Sequence, residues 1–179
     1  MKISPWNPPY LALKIVIEQA YNRCGLIISN VKYNPEGTEY GASSFLLDGH
    51  SIEHRVSKVT PKKAGQFVAI WKRNENGITE PFDSSDKIDF IVITSRSGND
   101  IGQFVFPKSV LIKQGIMSHN RKGGKRGMRV YPPWDIAPNL QAGKSQSWQV
   151  KYFFLINDEI TANPRLVRSM FSRIGEEGH

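Results

Sequence analysis

The chain has 179 residues and carries 24 Lys and Arg against 16 Asp and Glu, a net charge of +8 with a pI near 9.6. Its 39% hydrophobic and 11% aromatic content excludes a mostly disordered chain, and the length suits one domain over residues 1–179. The lone Cys24 excludes an intrachain disulfide and fits a cytoplasmic setting, and no apolar run approaches the ~18 residues of a membrane span.

The opening, MKISPWNPPY, is broken by prolines and lacks the apolar stretch of a signal peptide. Leu11, Ile15, Val16, Ala20, Tyr21 and Cys24 then recur at helical spacing, with Gly25 placed to cap the helix. Cys24 reads as a buried face residue, because no activating His or cation lies in the local pattern. GLIISNVKYN is extended and NPEGTEYG is a turn-rich loop. SSFLLDG, SIEHRVSKVT and GQFVAIWKR read as three β runs separated by Gly, Pro or Asp. KIDFIVITSR is the strongest strand, and SGND turns it into IGQFVFP as a hairpin.

A short helix is predicted after Pro107 and an extended segment at GMRVYPP. SQSWQVKYFFLI fits either period: Trp148, Val150 and Tyr152 alternate, but the run is long enough for a helix. NPRLVRSMFSRIG closes the chain as an amphipathic helix, with Leu166, Val167, Met170, Phe171 and Ile174 on its apolar face, and EEGH as a frayed end. The sum is an α+β fold, a central mixed β-sheet with a hairpin and with N-terminal and C-terminal helices. The tetrapeptide GQFV occurs at Gly65–Val68 and again at Gly102–Val105, which two strands with the same entrance chemistry explain.

One cysteine and four scattered histidines give no zinc spacing, and His50 and His54 lie on a strand where four residues do not bring rings together. No phosphate-binding loop and no nucleophile elbow is present. A carboxylate–metal nuclease needs two acids for Mg²⁺ and a lysine beside them. One frame offers Asp89 and Lys108, with Phe106 where the second acid belongs. Another offers Asp48 or Glu53 with Lys72, and there Ile70 takes that place.

Basic segments interleaved with aromatics carry the stronger signal. The first holds Lys58, Thr60, Lys62, Lys63, Trp71, Lys72 and Arg73. The second, SHNRKGGKRGMRVYPPWD, holds Arg121, Lys122, Lys125, Arg126 and Arg129 beside Tyr131 and Trp134. Lys and Arg neutralise phosphates, hydroxyls and loop N–H groups donate to them, and rings stack on unpaired bases. The opposing reading is a solvated charged face, with Trp71 and Trp134 packed in the core.

TPKKAGQFVAIWKR, DFIVITS, GQFVFPKSVLIKQGI, GKRGMRVYPPWD and SQSWQVKYFF together resemble the MepB family of small bacterial proteins, from about Phe45 to Phe154. The resemblance implies a restriction-endonuclease-like fold and DNA as the ligand. The matching positions include Thr60, Lys62, Lys63, Gly65, Gln66, Phe67, Lys108, Gln146, Trp148 and Gln149 besides the basic blocks. The expectation is therefore a DNA-binding protein without catalysis of its own, Arg126 and Arg129 reading bases through bidentate pairing and the remaining cations, Lys108 among them, on phosphates. It calls for no metal and no cofactor. Two alternatives stand beside it. One is a nuclease using Mg²⁺ with Asp89 and Lys108, or with Asp48, Glu53 and Lys72, and an acid from elsewhere in the fold; the other is a binder of a small anion or an acidic protein. The sequence leaves the oligomeric state open.

Overall fold

The structure, a computed structural model, describes residues 10–157 and 163–172. Helix α1 (Leu11–Val16) runs on through a π-helical turn at Ile17–Tyr21 and leads to strand β1 (Ile28–Tyr33) and a 3-10 segment at Pro35–Tyr40. There follow β2 (Ser43–Leu47), β3 (His50–Val56), β4 (Lys58–Thr60), β5 (Lys63–Ala69), β6 (Trp71–Arg73) and β7 (Thr79–Pro81). The hairpin is β8 (Phe90–Ser97) and β9 (Asp100–Pro107), continued by α2 (Lys108–Lys113). The remaining elements are β10 (Gly127–Val130), α3 (Leu140–Gln149), β11 (Phe153–Leu155) and α4 (Pro164–Met170).

The architecture is α+β. Six strands form a mixed sheet in the order β1-β2-β3-β8-β9-β11, beside a three-stranded sheet β10-β5-β4 and the pair β6-β7. Within the large sheet only β3 and β8 run parallel. Alternation along β8 divides its side chains between two cores. Phe90 and Val92 join Leu13, Val16, Tyr21, Cys24, Val167, Met170 and Phe171. Ile91 and Ile93 join Phe104, Phe106, Val68, Met128, Val130 and Leu111. The large sheet is thus covered by α1 and α4 on one face and by the small sheet with α2 on the other. A strand buried on both faces reads as an unbroken apolar run, which is why this segment stood out.

Several expectations need correcting. SIEHRVSKVT is two strands in two sheets. It parts at Ser57, whose N–H donates to the Thr94 carbonyl (3.0 Å) while its hydroxyl donates to Gln66 Oε1 (2.7 Å). GQFVAIWKR parts at Ile70, whose N–H donates to the Arg126 carbonyl (2.9 Å). SQSWQVKYFFLI is both of its readings in succession: the end of α3, a 3-10 turn at Val150–Tyr152, then β11. Leu166, placed on the apolar face of the last helix, is 52% exposed, while Val167, Met170 and Phe171 are buried. Ile174 and the EEGH end lie outside the described residues.

The GQFV echo has a physical basis. A Cβ on Gly102 would lie 2.0 Å from the Phe153 ring, and one on Gly65 would lie 2.7 Å from the Tyr131 ring. Both following glutamines are buried. Gln66 Nε2 donates to the Arg96 carbonyl (3.0 Å); Gln103 accepts from Tyr21 Oη (2.8 Å) and donates to Thr94 Oγ1 (3.1 Å). Two strands bring a ring onto a glycine and bury the amide beside it.

That second glutamine belongs to a polar network inside the core. His54 is fully buried, with Nε2 2.8 Å from Thr94 Oγ1 and Nδ1 3.3 Å from Ser43 Oγ. Thr94 Oγ1 also accepts a hydrogen bond from Gln103 Nε2, which joins the imidazole to the Tyr21–Gln103 pair. Burial, reinforced by the adjacent Arg55 and opposed by the Gly41 carbonyl, drives the His54 pKa down to about 3. The ring is neutral at physiological pH.

Candidate functional site

The basic segment Ser118–Arg126 is a built loop. Asp83 anchors it: Oδ1 accepts from Ser118 Oγ (2.6 Å) and from Arg121 N (2.8 Å). Oδ2 accepts from Ser85 N (3.0 Å) and Ser85 Oγ (2.7 Å). These bonds, that from Ser118 foremost, hold the Asp83 carboxyl well below the usual carboxylate range. His119 and Lys122 exchange backbone hydrogen bonds around Asn120 and Arg121, whose φ angles of 52° and 63° make a two-residue type I′ hairpin turn. Gly124 has φ +82°, and a Cβ there would press on Pro81 and on the Ser118 N–H. The loop therefore holds Arg121, Lys122 and Lys125 on a fixed frame.

Lys125 opens onto a cleft of about 660 Å³ between β5, β10 and α3. Lys63, Lys125 and Arg129 line it, with the rings of Phe67, Tyr131 and Trp148, the amides of Gln114, Asn139 and Gln141, and Ser145; no carboxylate does. Asn139 caps α3, its side chain accepting from Ala142 N (2.9 Å). Gln149 fastens the helix to β10, accepting from Tyr131 N (2.8 Å) and donating to the Arg129 carbonyl (2.9 Å). The Arg129 guanidinium donates to the Ala64 carbonyl (3.1 Å) and to Thr60 Oγ1 (2.6 Å), so it braces β10 against the β4–β5 turn while facing the cleft.

The structure divides the predicted nucleic-acid contacts into two sets. In one, Lys58 pairs with Glu39 (2.7 Å) and lies over the Tyr40 ring. Lys72 pairs with Asp86 (2.6 Å) and reaches Glu80 (3.4 Å). Arg73 pairs with Glu36 (2.6 Å) and lies over the Trp71 ring, and the Lys108 amine donates to the Asp86 carbonyl. Arg126 spends its Nε and Nη2 hydrogens on the Thr79 carbonyl. In the other set, Lys62, Lys63, Arg121, Lys122 and Lys125 are exposed and have no carboxylate partner among the described residues. Trp71 and Trp134 are half-buried away from the cleft; Trp134 packs edge-on to Phe153. The ring wall is instead Phe67, Tyr131 and Trp148, of which only Tyr131 was singled out from the basic pattern.

The residues of the cleavage frames are bonded within the fold. Asp89 Oδ2 accepts from Ser51 N (2.8 Å), and Phe106 is wholly buried, stacked on Phe104. Asp48 stands in the β2–β3 turn with φ 48°, accepting from Ile27 N (2.8 Å). Glu53 pairs with Arg55 (3.1 Å), and burial raises its pKa against the pull of that cation. Among the described residues no three His, Cys, Asp or Glu stand where they could hold a metal ion.

A family model for MepB-like proteins matches residues 34–155, more than half of the chain. The chain belongs to the MepB-like family. A solved structure described as the crystal structure of MepB is 29% identical, covers 84% of this chain and 97% of its own, and superposes with a TM-score of 0.71. No curated protein matches the chain. The MepB-like region takes in the whole cleft, the basic loop and its Asp83 anchor, whereas α1 and α4 fall outside it. No helix among the described residues is long and apolar enough to cross a membrane.

Proposed function

We propose that this MepB-like protein binds nucleic acid, with DNA as the ligand, through the uncompensated cations around the cleft. The observation that carries the reading is the division of charge. Lys58, Lys72 and Arg73 have carboxylate partners, while Lys63 and Lys125 share a concave wall that holds Arg129 and no acid. Like charges gathered without counter-charge repel one another, and a phosphate chain laid across them relieves that repulsion and releases its own counterions. The loop with Arg121 and Lys122 extends the basic track beyond the cleft mouth. The reading includes no chemical step; Lys72 and Lys108, on which the cleavage frames rely, both bond to Asp86.

Charge reversal tests the division. The double variant Lys63→Glu/Lys125→Glu is expected to bind DNA at least about tenfold more weakly, and to reduce the slope of log K against log salt by about 2. Lys72→Gln breaks an internal pair, so it is expected to lower stability and leave affinity within about twofold. Equal losses of affinity in both proteins would remove the cleft from the binding surface.

A further inference from the structure

We propose that the cleft takes one unpaired nucleotide, so that the protein prefers single-stranded nucleic acid to an intact duplex. The proposal rests on the nucleic-acid reading above and names the form of its ligand. A concave site of about 660 Å³ is of the size that encloses a small organic ligand, and its chemistry is mixed in the way a nucleotide is mixed. Lys63 and Lys125 supply cationic ends for phosphate; Phe67, Tyr131 and Trp148 supply rings; Gln141 supplies an amide for a base edge. An intact duplex presents phosphates outward and keeps its base faces stacked inside, so it could use the lysines and leave the rings idle. A base turned out of a single strand reaches both.

The seating of the rings supports the same ligand. Phe67 and Tyr131 are half-buried, and neither belongs to a hydrophobic core cluster. Each lies on a glycine of the neighbouring strand: a Cβ on Gly127 would stand 2.7 Å from the Phe67 ring, and one on Gly65 would stand 2.7 Å from the Tyr131 ring. Gly127 has no positive φ, so a side chain there is opposed first by the Phe67 ring and then by the Val68 carbonyl at 3.2 Å. The two β-strands thus hold two rings at the cleft wall, and Phe67 also meets the Tyr40 ring edge-on at 6.0 Å.

The test is fluorescence anisotropy at one ionic strength with a labelled single strand of about 12 nucleotides, in the range of single-strand binding sites, and with its duplex. Free nucleoside monophosphate and inorganic phosphate are titrated in parallel against tryptophan emission, with Trp148→Phe as the control that isolates the Trp148 signal from that of the other three tryptophans. The single strand is expected to bind at least about tenfold tighter than the duplex. Tyr131→Ala is expected to weaken the single strand about 5- to 100-fold and to spare the duplex. Gly127→Ala keeps every lining group but displaces the Phe67 ring, and is expected to act in the same direction. The nucleotide should quench the emission and phosphate should not. Duplex binding equal to or tighter than single-strand binding, unaffected by either variant, would overturn the inference and leave the basic-face reading standing. No binding of either strand form would overturn both.

Discussion

Asp83→Ala is expected to lower the free energy of unfolding by about 3–4 kcal/mol in a urea titration. A buried carboxylate accepting four hydrogen bonds makes contacts of the charge-assisted kind, each worth roughly 1.5–3 kcal/mol, and water entering the vacated site recovers part of the sum. The damage falls on function as well, because two of those bonds hold Ser118 and Arg121. The basic loop should lose its frame, and DNA affinity should fall even where the variant is still folded. Asp83→Asn keeps the shape but turns one acceptor into a donor facing the Ser85 or Ser118–Arg121 donors, so an intermediate loss is expected. The pH dependence follows from the depressed carboxyl. The stabilisation is complete above the ordinary carboxylate pKa and drains away as pH falls below it, when the folded state must take up a proton. Asp83→Asn should flatten that acid limb. A loss below about 1 kcal/mol would show that the loop stands without its anchor.

The second large effect lies in the core. His54→Ala removes a buried ring that Thr94 and Ser43 both contact, leaving a cavity, a Ser43 hydroxyl without this partner and a Thr94 hydroxyl held by Gln103 alone, and is expected to cost about 3–5 kcal/mol. The wild-type histidine also makes stability fall toward acid. Its folded pKa is about 3 against about 6.5 when exposed. The unfolded chain therefore accepts a proton that the folded chain refuses. The contribution is constant above roughly pH 6.5, then declines with a slope of up to about 1.4 kcal/mol per pH unit down to about pH 3. His54→Gln keeps a hydrogen-bonding side chain without that titration. Its stability, compared with wild type across this window, should decline less steeply; parallel curves would mean that the ring is charged or solvated in the folded state.

The hairpin of β8 and β9 was legible because burial on both faces writes a continuous apolar run, and a polar turn ends it. The sheet changes at Ser57 and Ile70 were not. The residues on either side keep a β pattern, and the change of partner is decided by contacts with Thr94 and Arg126, far along the chain. Helix α3 escaped for a different reason. It is polar along most of its length, with Leu140 77% exposed, so it writes no apolar period; the Asn139 cap was the available signal. The site shows the same limit. Lys72 and Lys125 look alike in sequence, each in a basic, aromatic stretch. One is neutralised by an aspartate 14 residues away, the other faces a cleft without acids. Charge composition announced a basic surface, and folding decided which of its cations stand without a carboxylate partner among the described residues.

The most direct test of the central claim is the salt dependence of DNA binding by the wild-type protein, measured by anisotropy in EDTA. Three to five phosphate contacts from Lys62, Lys63, Arg121, Lys122 and Lys125 predict metal-independent binding whose log K falls against log salt with a slope of about −2 to −4. Binding that ignores salt, or no binding at low ionic strength, would contradict the claim and return the basic loop to a solvated surface.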